Sequence, residues 1–269
     1  MKHLPRFAIS DDAAVCRTDG TVRVTGSELH HMRDVMRLGQ GTQVVLCAAD
    51  GLEYAGRIAD FEANAAIITV AGAYYREERA SGRFILAAGV LKPARMDLLI
   101  EKAAELDASE FWPLICARSI VREPSPGRQQ RWRRVSLAAA KQSLCSRRME
   151  VRHPVDVGSM VRSVPAAALA VTCVAGAEPL GAVIRRTADE AHPAAVVLAI
   201  GPEGDFTAEE LAAMREAGFV AAGLGGNRLR SETAAMAALS IAMGIFAELE
   251  DAKRTALGRA NADGGRARH

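Results

Sequence analysis

The sequence predicts an α/β protein in two parts, a short-stranded N-terminal module and a larger C-terminal domain built on a parallel sheet. Three observations carry that expectation. Residues 1–75 read as short β-branched runs separated by turn signals, whereas from residue 83 onward strand-length apolar runs alternate with segments of helical period. An apolar run, Ala194 to Ile200, stops at Gly201-Pro202-Glu203-Gly204 and passes at once into a capped helix. A second glycine turn, Leu224-Gly225-Gly226-Asn227-Arg228-Leu229-Arg230, feeds another helix soon afterwards. Two strand–glycine loop–helix junctions close in sequence predict one composite ligand site at the carboxyl ends of parallel strands.

In the N-terminal module, Thr21 to Thr25 alternates, Thr42 to Ala48 is Val-rich, and Asp50-Gly51 marks a turn before the runs Leu52–Phe61 and Ala65–Val70. One helix interrupts them, Ser27 to Leu38, with Ser27 as its expected N-cap and Gly39 and Gly41 as its stop. Leu29, Met32, Val35 and Met36 form its apolar side, which turns His30, Arg33 and Arg37 outward. His30-His31 is no metal motif, because adjacent helix residues point about 100° apart. A small β-barrel of this size is often used to hold nucleic acid. Tyr74 to Gly82 is polar and reads as a linker. Beyond it, strands are expected at 83–91, 111–116, 167–174, 194–200 and 219–224. Helices are expected from Met96, over 128–145, 179–189 and 208–217, and from Ser231 to Leu249. Alternating strands and helices mean a parallel sheet covered on both faces. Ala235, Leu239, Ala242, Phe246 and Leu249 stripe the last helix and suit core packing or a dimer seam. The tail, 251–269, is Arg-bearing with little that is apolar, and its composition predicts disorder.

The net charge of +2 is unremarkable, but its distribution is not. Between Arg118 and Arg152 ten Lys or Arg face two acids, so this window carries +8 and the remainder of the chain −6. A one-signed stripe on a near-neutral chain is the footprint of a polyanion partner. A solvated helix face is the bland alternative. The five cysteines, at 16, 47, 116, 145 and 173, form no Cys-x-x-Cys pair, and no His stands near them at metal spacing. They read as reduced thiols rather than a disulfide frame, and no metal is expected. No apolar stretch follows the first residues as a signal peptide would, and no run reaches the ~18 apolar residues of a membrane span. A cytoplasmic protein without membrane attachment is expected.

At the two loops, Gly201 and Gly204 permit close backbone approach, Pro202 stiffens the turn, and Thr207 with Glu210 fits a capping box. Neither loop is a Rossmann fingerprint or a P-loop: Arg228 stands where the third glycine belongs, and no Gly-Lys-Ser/Thr is present. The pair Gly201-Pro202-Glu203-Gly204-x-Phe206 and Leu224-Gly225-x-x-x-Leu229-Arg230-x-Glu232-Thr233-Ala234 resembles the signatures of the RsmE-type 16S rRNA uridine-N3 methyltransferases of the SPOUT superfamily. The resemblance covers most of the chain. His30, Val35, Arg37, Leu38 and Gly41 are similar to the family's early motif, and Glu101-Lys102-Ala103-x-Glu105-Leu106 and Ala140-Lys141-Gln142-Ser143 to its middle ones.

The resemblance implies a PUA-like β-barrel over 1–75 and a SPOUT α/β domain with a trefoil knot over 83–250. It implies a homodimer that uses S-adenosylmethionine to methylate N3 of a uridine in 16S rRNA, alone or within the small ribosomal subunit. Carried over by position, Gly201, Pro202, Glu203, Gly204, Leu224, Gly225 and Leu229 would hold the methyl donor. Arg230 would stabilise charge on the uracil, and Glu232, or Glu203, would take its proton. An ion pair between Arg230 and Glu232 that merely fixes the last helix is the structural alternative. Arg37, Arg122, Gln142, Arg147 and Arg148 are the expected RNA contacts. The chain departs from the family at Asp107 and Asp205, where glycine is usual, and at Arg228, where an aliphatic residue is common. A SPOUT enzyme acting on another RNA, such as tRNA, and a catalytically silent ribosome-assembly factor are the competing readings.

Overall fold

A computed structural model describes residues 4–9, 20–48, 52–75, 82–143, 149–191 and 193–264. Its contacts divide the chain into two units, one of residues 1–78 with 137–148, the other of 79–136 with 149–269. Most of the expected linker, 74–82, falls outside the described residues.

In the first unit, β1 (Arg6–Ala8), β2 (Thr21–Val24), β3 (Gln43–Cys47), β4 (Leu52–Glu62) and β5 (Ala65–Tyr75) form one sheet in the order β1-β3-β4-β5-β2. The strand pair β1–β3 is parallel and the others are antiparallel. The expected barrel takes the form of a curled half-barrel. Its concave core gathers Phe7, Val22, Val24, Val44, Leu46, Ile58 and Ile68, the inward alternates of each strand, under Leu29 and Met32. The helix differs from expectation. α1 (Gly26–His30) starts from Thr25 rather than Ser27, and then widens into a π-helical turn, His31–Val35, closed by Met36 N–H donating to the His31 carbonyl. The wider turn shifts the apolar face. Leu29 and Met32 stay buried, but Val35 and Met36, expected in the core, are 61% and 42% exposed. Leu38 packs against the core instead, and its N–H caps the turn on the Met32 carbonyl.

The second unit is a parallel sheet in the order β12-β10-β11-β6-β7-β8, with a short ninth strand also on β7. Its strands are β6 (Arg83–Gly89), β7 (Glu110–Ile115), β8 (Glu150–Val151), β9 (Val155–Asp156), β10 (Ala168–Cys173), β11 (Ala195–Ile200) and β12 (Val220–Ala222). Helices α2 (Pro93–Glu105), α3 (Pro126–Gln142), α4 (Val157–Arg162), α5 (Leu180–Ala191), α6 (Ala208–Glu216) and α7 (Ser231–Gly264) connect or follow them. Every residue of β11 is buried, as a central parallel strand between helical layers requires. Sequence periodicity missed β8, β9 and α4, each too short to show a period.

Helix α7 packs against α2, α5, β6 and β11 through Ala235, Ala238, Leu239, Ala242, Ile245 and Phe246, so the apolar stripe is core. Phe246 meets Phe84 edge to face at 5.4 Å. The span Ser231–Leu249, with mean hydropathy 1.4, is long and apolar enough by composition to cross a membrane. The run-length reading passed over it because Glu232, Thr233 and Ser240 interrupt the apolar residues. Its buried stripe is that of a core helix. The same helix continues to Gly264, across much of the tail whose composition predicts disorder.

Candidate functional site

The two glycine loops meet. Residues 200–203 and 205 from the end of β11, 224–231 from the loop after β12, and 173–176 from the end of β10 line one cavity of about 690 Å³. It sits where a parallel sheet presents the carboxyl ends of its strands, within the size range of small-ligand pockets.

Each loop is built by identifiable local chemistry. Thr207 Oγ1 accepts from the Glu210 N–H at 3.2 Å, and Glu210 Oε2 accepts from the Thr207 N–H at 2.8 Å, which is the expected capping box. The other oxygen, Oε1, accepts from the Ala117 N–H at 2.8 Å and ties the loop after β7 to the start of α6. Arg118 reinforces that tie by donating to the carbonyls of Gly204 at 3.1 Å and Phe206 at 3.3 Å. At Gly201 a Cβ would lie 2.8 Å from Asp205 Oδ1 and 3.1 Å from its Cα, so glycine is needed for the chain to fold back on itself. At Gly89, the last residue of β6, a Cβ would come within 2.6 Å of Pro202 N. The loop therefore rests directly on the neighbouring strand.

Asp205 and Asp107, the two departures from glycine, share one feature: both have positive φ, +61° and +64°. Asp is among the few side chains that tolerate this region. Asp205 Oδ1 accepts from the Phe206 N–H at 2.8 Å, which stabilises the turn locally. Asp107 ends α2 in a Schellman arrangement, with its N–H on the Ala104 carbonyl and the Ala108 N–H on the Ala103 carbonyl.

Of the expected donor-site residues, Gly201, Pro202, Glu203, Leu224, Gly225 and Leu229 line the cavity. Gly204 does not; it faces Arg118, whose Cβ would be 2.9 Å from a Cβ at that position. Arg230 lines the cavity and is exposed, and no ion pair joins it to Glu232 among the described residues. Glu232 is only 6% exposed and is not among the lining residues. Its partner is Arg95, which sequence reasoning missed. The Arg95 guanidinium stands 3.7 Å from Glu232 Oε1 through Nε and 3.7 Å from Glu203 Oε1 through Nη1. Both oxygens of Glu203, and Oε2 of Glu232, are buried without a hydrogen-bond partner among the described residues. Arg95 itself lines the cavity. The signal for it was its position: it stands in the first turn of a helix opened by Lys92-Pro93 just beyond a strand end, a stretch read only as punctuation. Cys173 also lines the cavity, and burial pushes its thiol up to about 12, so it remains protonated and a poor nucleophile.

The expected RNA contacts are dispersed. Arg37 is exposed in the first unit with φ +51°, left-handed backbone that a long side chain seldom adopts. Gln142 is exposed at the end of α3, and Arg122 is exposed in the second unit. Arg147 and Arg148 lie outside the described residues. Part of the basic stripe has structural work: Arg118 holds the loop, Arg131 pairs with Asp97 at 2.8 Å, and Arg152 pairs with buried Glu110 and lies 5.0 Å over the Trp112 ring.

Comparison with known proteins agrees with this geometry. Residues 78–243 match the RNA methyltransferase domain family and residues 24–71 the RNA methyltransferase PUA domain family. A ribosomal RNA small subunit methyltransferase E of Mycobacterium bovis is 30% identical over 249 residues, covering 87% of this chain and 90% of that protein. The chain belongs to the ribosomal RNA small subunit methyltransferase E family. The Bacillus subtilis member is 28% identical over 82% of this chain and 88% of its own length. The Neisseria gonorrhoeae member, whose crystal structure was solved bound to S-adenosyl methionine, superposes with a TM-score of 0.72 at 26% identity, covering 88% and 96% of the two chains. Family membership accounts for the conjunction of a PUA-type sheet with a parallel domain carrying two glycine loops.

Proposed function

We propose that this protein transfers a methyl group from S-adenosylmethionine to N3 of a specific uridine in 16S rRNA of the small ribosomal subunit. The observation that carries the reading is the one cavity that the two signature loops share, with apolar residues and the acidic Glu203 and Asp205 in its wall. Those residues fit the cofactor. Val174, Ile200, Leu224 and Leu229 offer an apolar seat for a purine. The backbone of 201–203 and 224–226 lines the cavity, where it can offer hydrogen bonds. Glu203 and Asp205 bring negative charge to the cavity wall, which suits a cationic ligand. When bound, S-adenosylmethionine supplies an electrophilic methyl carbon on a positively charged sulfur.

The chain's own residues then have defined tasks. The loops hold the donor so that its methyl group points toward the incoming base. N3 lies on the Watson–Crick edge, so the uridine must be unpaired before it can enter. N3 must lose its proton, the electron pair it keeps forms the N–C bond, and the pair of the methyl–sulfur bond stays on sulfur. Arg230 lines the cavity, which supports a role in stabilising negative charge on a uracil carbonyl oxygen. Of the two carboxylates named for the proton, Glu203 lines the cavity, while Glu232 sits behind Arg95 and positions it. The N-terminal unit, with Arg37, and the exposed Arg122 and Gln142 hold the RNA backbone, joined by Arg147 and Arg148. A homodimer fits the half-covered Met236, Ile241 and Met243 on α7, and a ribosomal substrate puts the reaction in the cytoplasm.

Isothermal titration with S-adenosylmethionine tests the donor site. Saturable binding is expected in the wild type. Gly201→Val, which places side-chain atoms where Asp205 turns back, is expected to weaken it at least tenfold. Absence of binding by the wild type would leave a silent RNA-binding factor as the better reading.

A further inference from the structure

Two carboxylates flank one guanidinium at the edge of the cavity. Arg95 comes from α2, Glu203 from the first loop and Glu232 from the start of α7. At 3.7 Å the charges attract, yet neither contact is a hydrogen bond, and both Glu203 oxygens and Glu232 Oε2 have no donor among the described residues. A buried acceptor without a donor is costly, and a native protein retains one where a ligand will supply it. Glu232 is 6% exposed and walled off, so it serves to orient Arg95. Both Glu203 oxygens are buried as well, so the group left facing the cavity is a donor, the Arg95 guanidinium.

A guanidinium donor is the complement of a carbonyl oxygen on a base edge. Uracil presents N3–H as a donor flanked by the O2 and O4 acceptors. Cytosine presents N3 as an acceptor beside an amino donor, the reverse at both positions. Resting on the uridine methyl-transfer reading above, we propose that the Arg95 guanidinium donates to a uracil carbonyl oxygen and that Arg95 is a catalytic residue of the reaction. N3 gives its proton to hydroxide from solvent, forming water, and the negative charge left on N3 delocalises onto O4, where the guanidinium stabilises it. A guanidinium that meets the amino group of cytosine instead of a carbonyl is left unmatched, which disfavours that base. The 3.7 Å contacts would shorten when the base arrives, as catalytic hydrogen bonds commonly do. Sequence motifs pointed to Arg230 alone for the charge-stabilising role; the geometry adds Arg95, which has an acidic partner on two sides, whereas Arg230 has no ion pair among the described residues.

The test compares Arg95→Met and Arg95→Lys with the wild type, using the full chain and unmethylated small-subunit rRNA. S-adenosylmethionine affinity by calorimetry and RNA affinity with S-adenosylhomocysteine present are expected to stay within about threefold, since phosphate contacts dominate RNA binding. The turnover rate is expected to fall a hundredfold or more in Arg95→Met and less in Arg95→Lys. The alkaline limb of the pH–rate profile should move to higher pH. RNA carrying 5-fluorouridine, whose N3–H is more acidic, should recover at least tenfold of the loss. A variant with normal turnover overturns the proposal. So does one that loses S-adenosylmethionine binding, which would put Arg95 in the donor site, or one slowed with no pH shift and no rescue, which would make its role structural. A wild type that forms no N3-methyluridine fails on the reading beneath, not on Arg95.

Discussion

Asp205 stands in left-handed backbone, folded against Gly201, with its carboxylate closing onto the next N–H. The cost of this conformation depends on the side chain, being about 1–2 kcal/mol for an ordinary residue and nothing for glycine. Asp205→Gly is therefore expected to leave the melting temperature nearly unchanged. Asp205→Val is expected to lower stability by about 1–2 kcal/mol in chemical denaturation and to weaken donor binding. The sequence showed that Asp205 and Asp107 depart from glycine, but not that both positions require positive φ, which is a property of the folded turn. Cys173 gives a second test. Burial holds its thiol above the usual range, at about 12, so the folded state binds the proton more tightly than the unfolded chain. Its contribution is full below the ordinary thiol pKa and is lost as pH rises toward 12. In native protein at pH 8, iodoacetamide should leave Cys173 unlabelled, as peptide mass mapping would show, while unfolded protein is labelled there.

Elements succeed or fail at their ends. The Thr207–Glu210 capping box was legible because its residues are adjacent in sequence, but the second bond of Glu210, to Ala117, joins residues far apart in the chain and was not. Glu210→Ala removes both, so the loss should exceed the ~1 kcal/mol typical of a cap, and donor affinity should fall because the loop at 201–207 loses its tie to the loop after β7. Asp156 caps α4 by accepting from the Ser159 N–H at 2.8 Å, and that bond holds its carboxyl below the usual carboxylate range. The folded pKa being the lower, this stabilisation is present at neutral pH and is lost as pH falls through it. Asp156→Ala should cost about 1 kcal/mol at pH 7 and less at pH 2–3, measured by urea unfolding. The first helix was harder to read. A single-period pattern put Val35 and Met36 in the core, and only the π-helical turn, which local sequence does not announce, carries them to the surface.

The architecture of the whole chain was largely legible, because the switch from short alternating runs to strand–helix alternation is a composition-level signal that survives errors at individual boundaries. The trefoil threading entered only through family resemblance, since periodicity is silent on which loop passes through which. The site was half legible: the loops announced themselves by glycine, whereas Arg95 converges with Glu203 and Glu232 only in three dimensions. The basic stripe proved mixed, with Arg118, Arg131 and Arg152 engaged inside the second unit and Arg122 left exposed. Arg122→Ala and Arg37→Ala should each weaken RNA binding and reduce the slope of log affinity against log salt by about one, with no effect on S-adenosylmethionine affinity. The most direct measurement is nucleoside mass spectrometry of small-subunit rRNA from cells lacking this protein, before and after incubation with it and S-adenosylmethionine. One N3-methyluridine at a single position, formed by the wild type and not by Arg95→Met, is the expected result. Methylation of a different atom or of another RNA, or none with the donor bound, would contradict it.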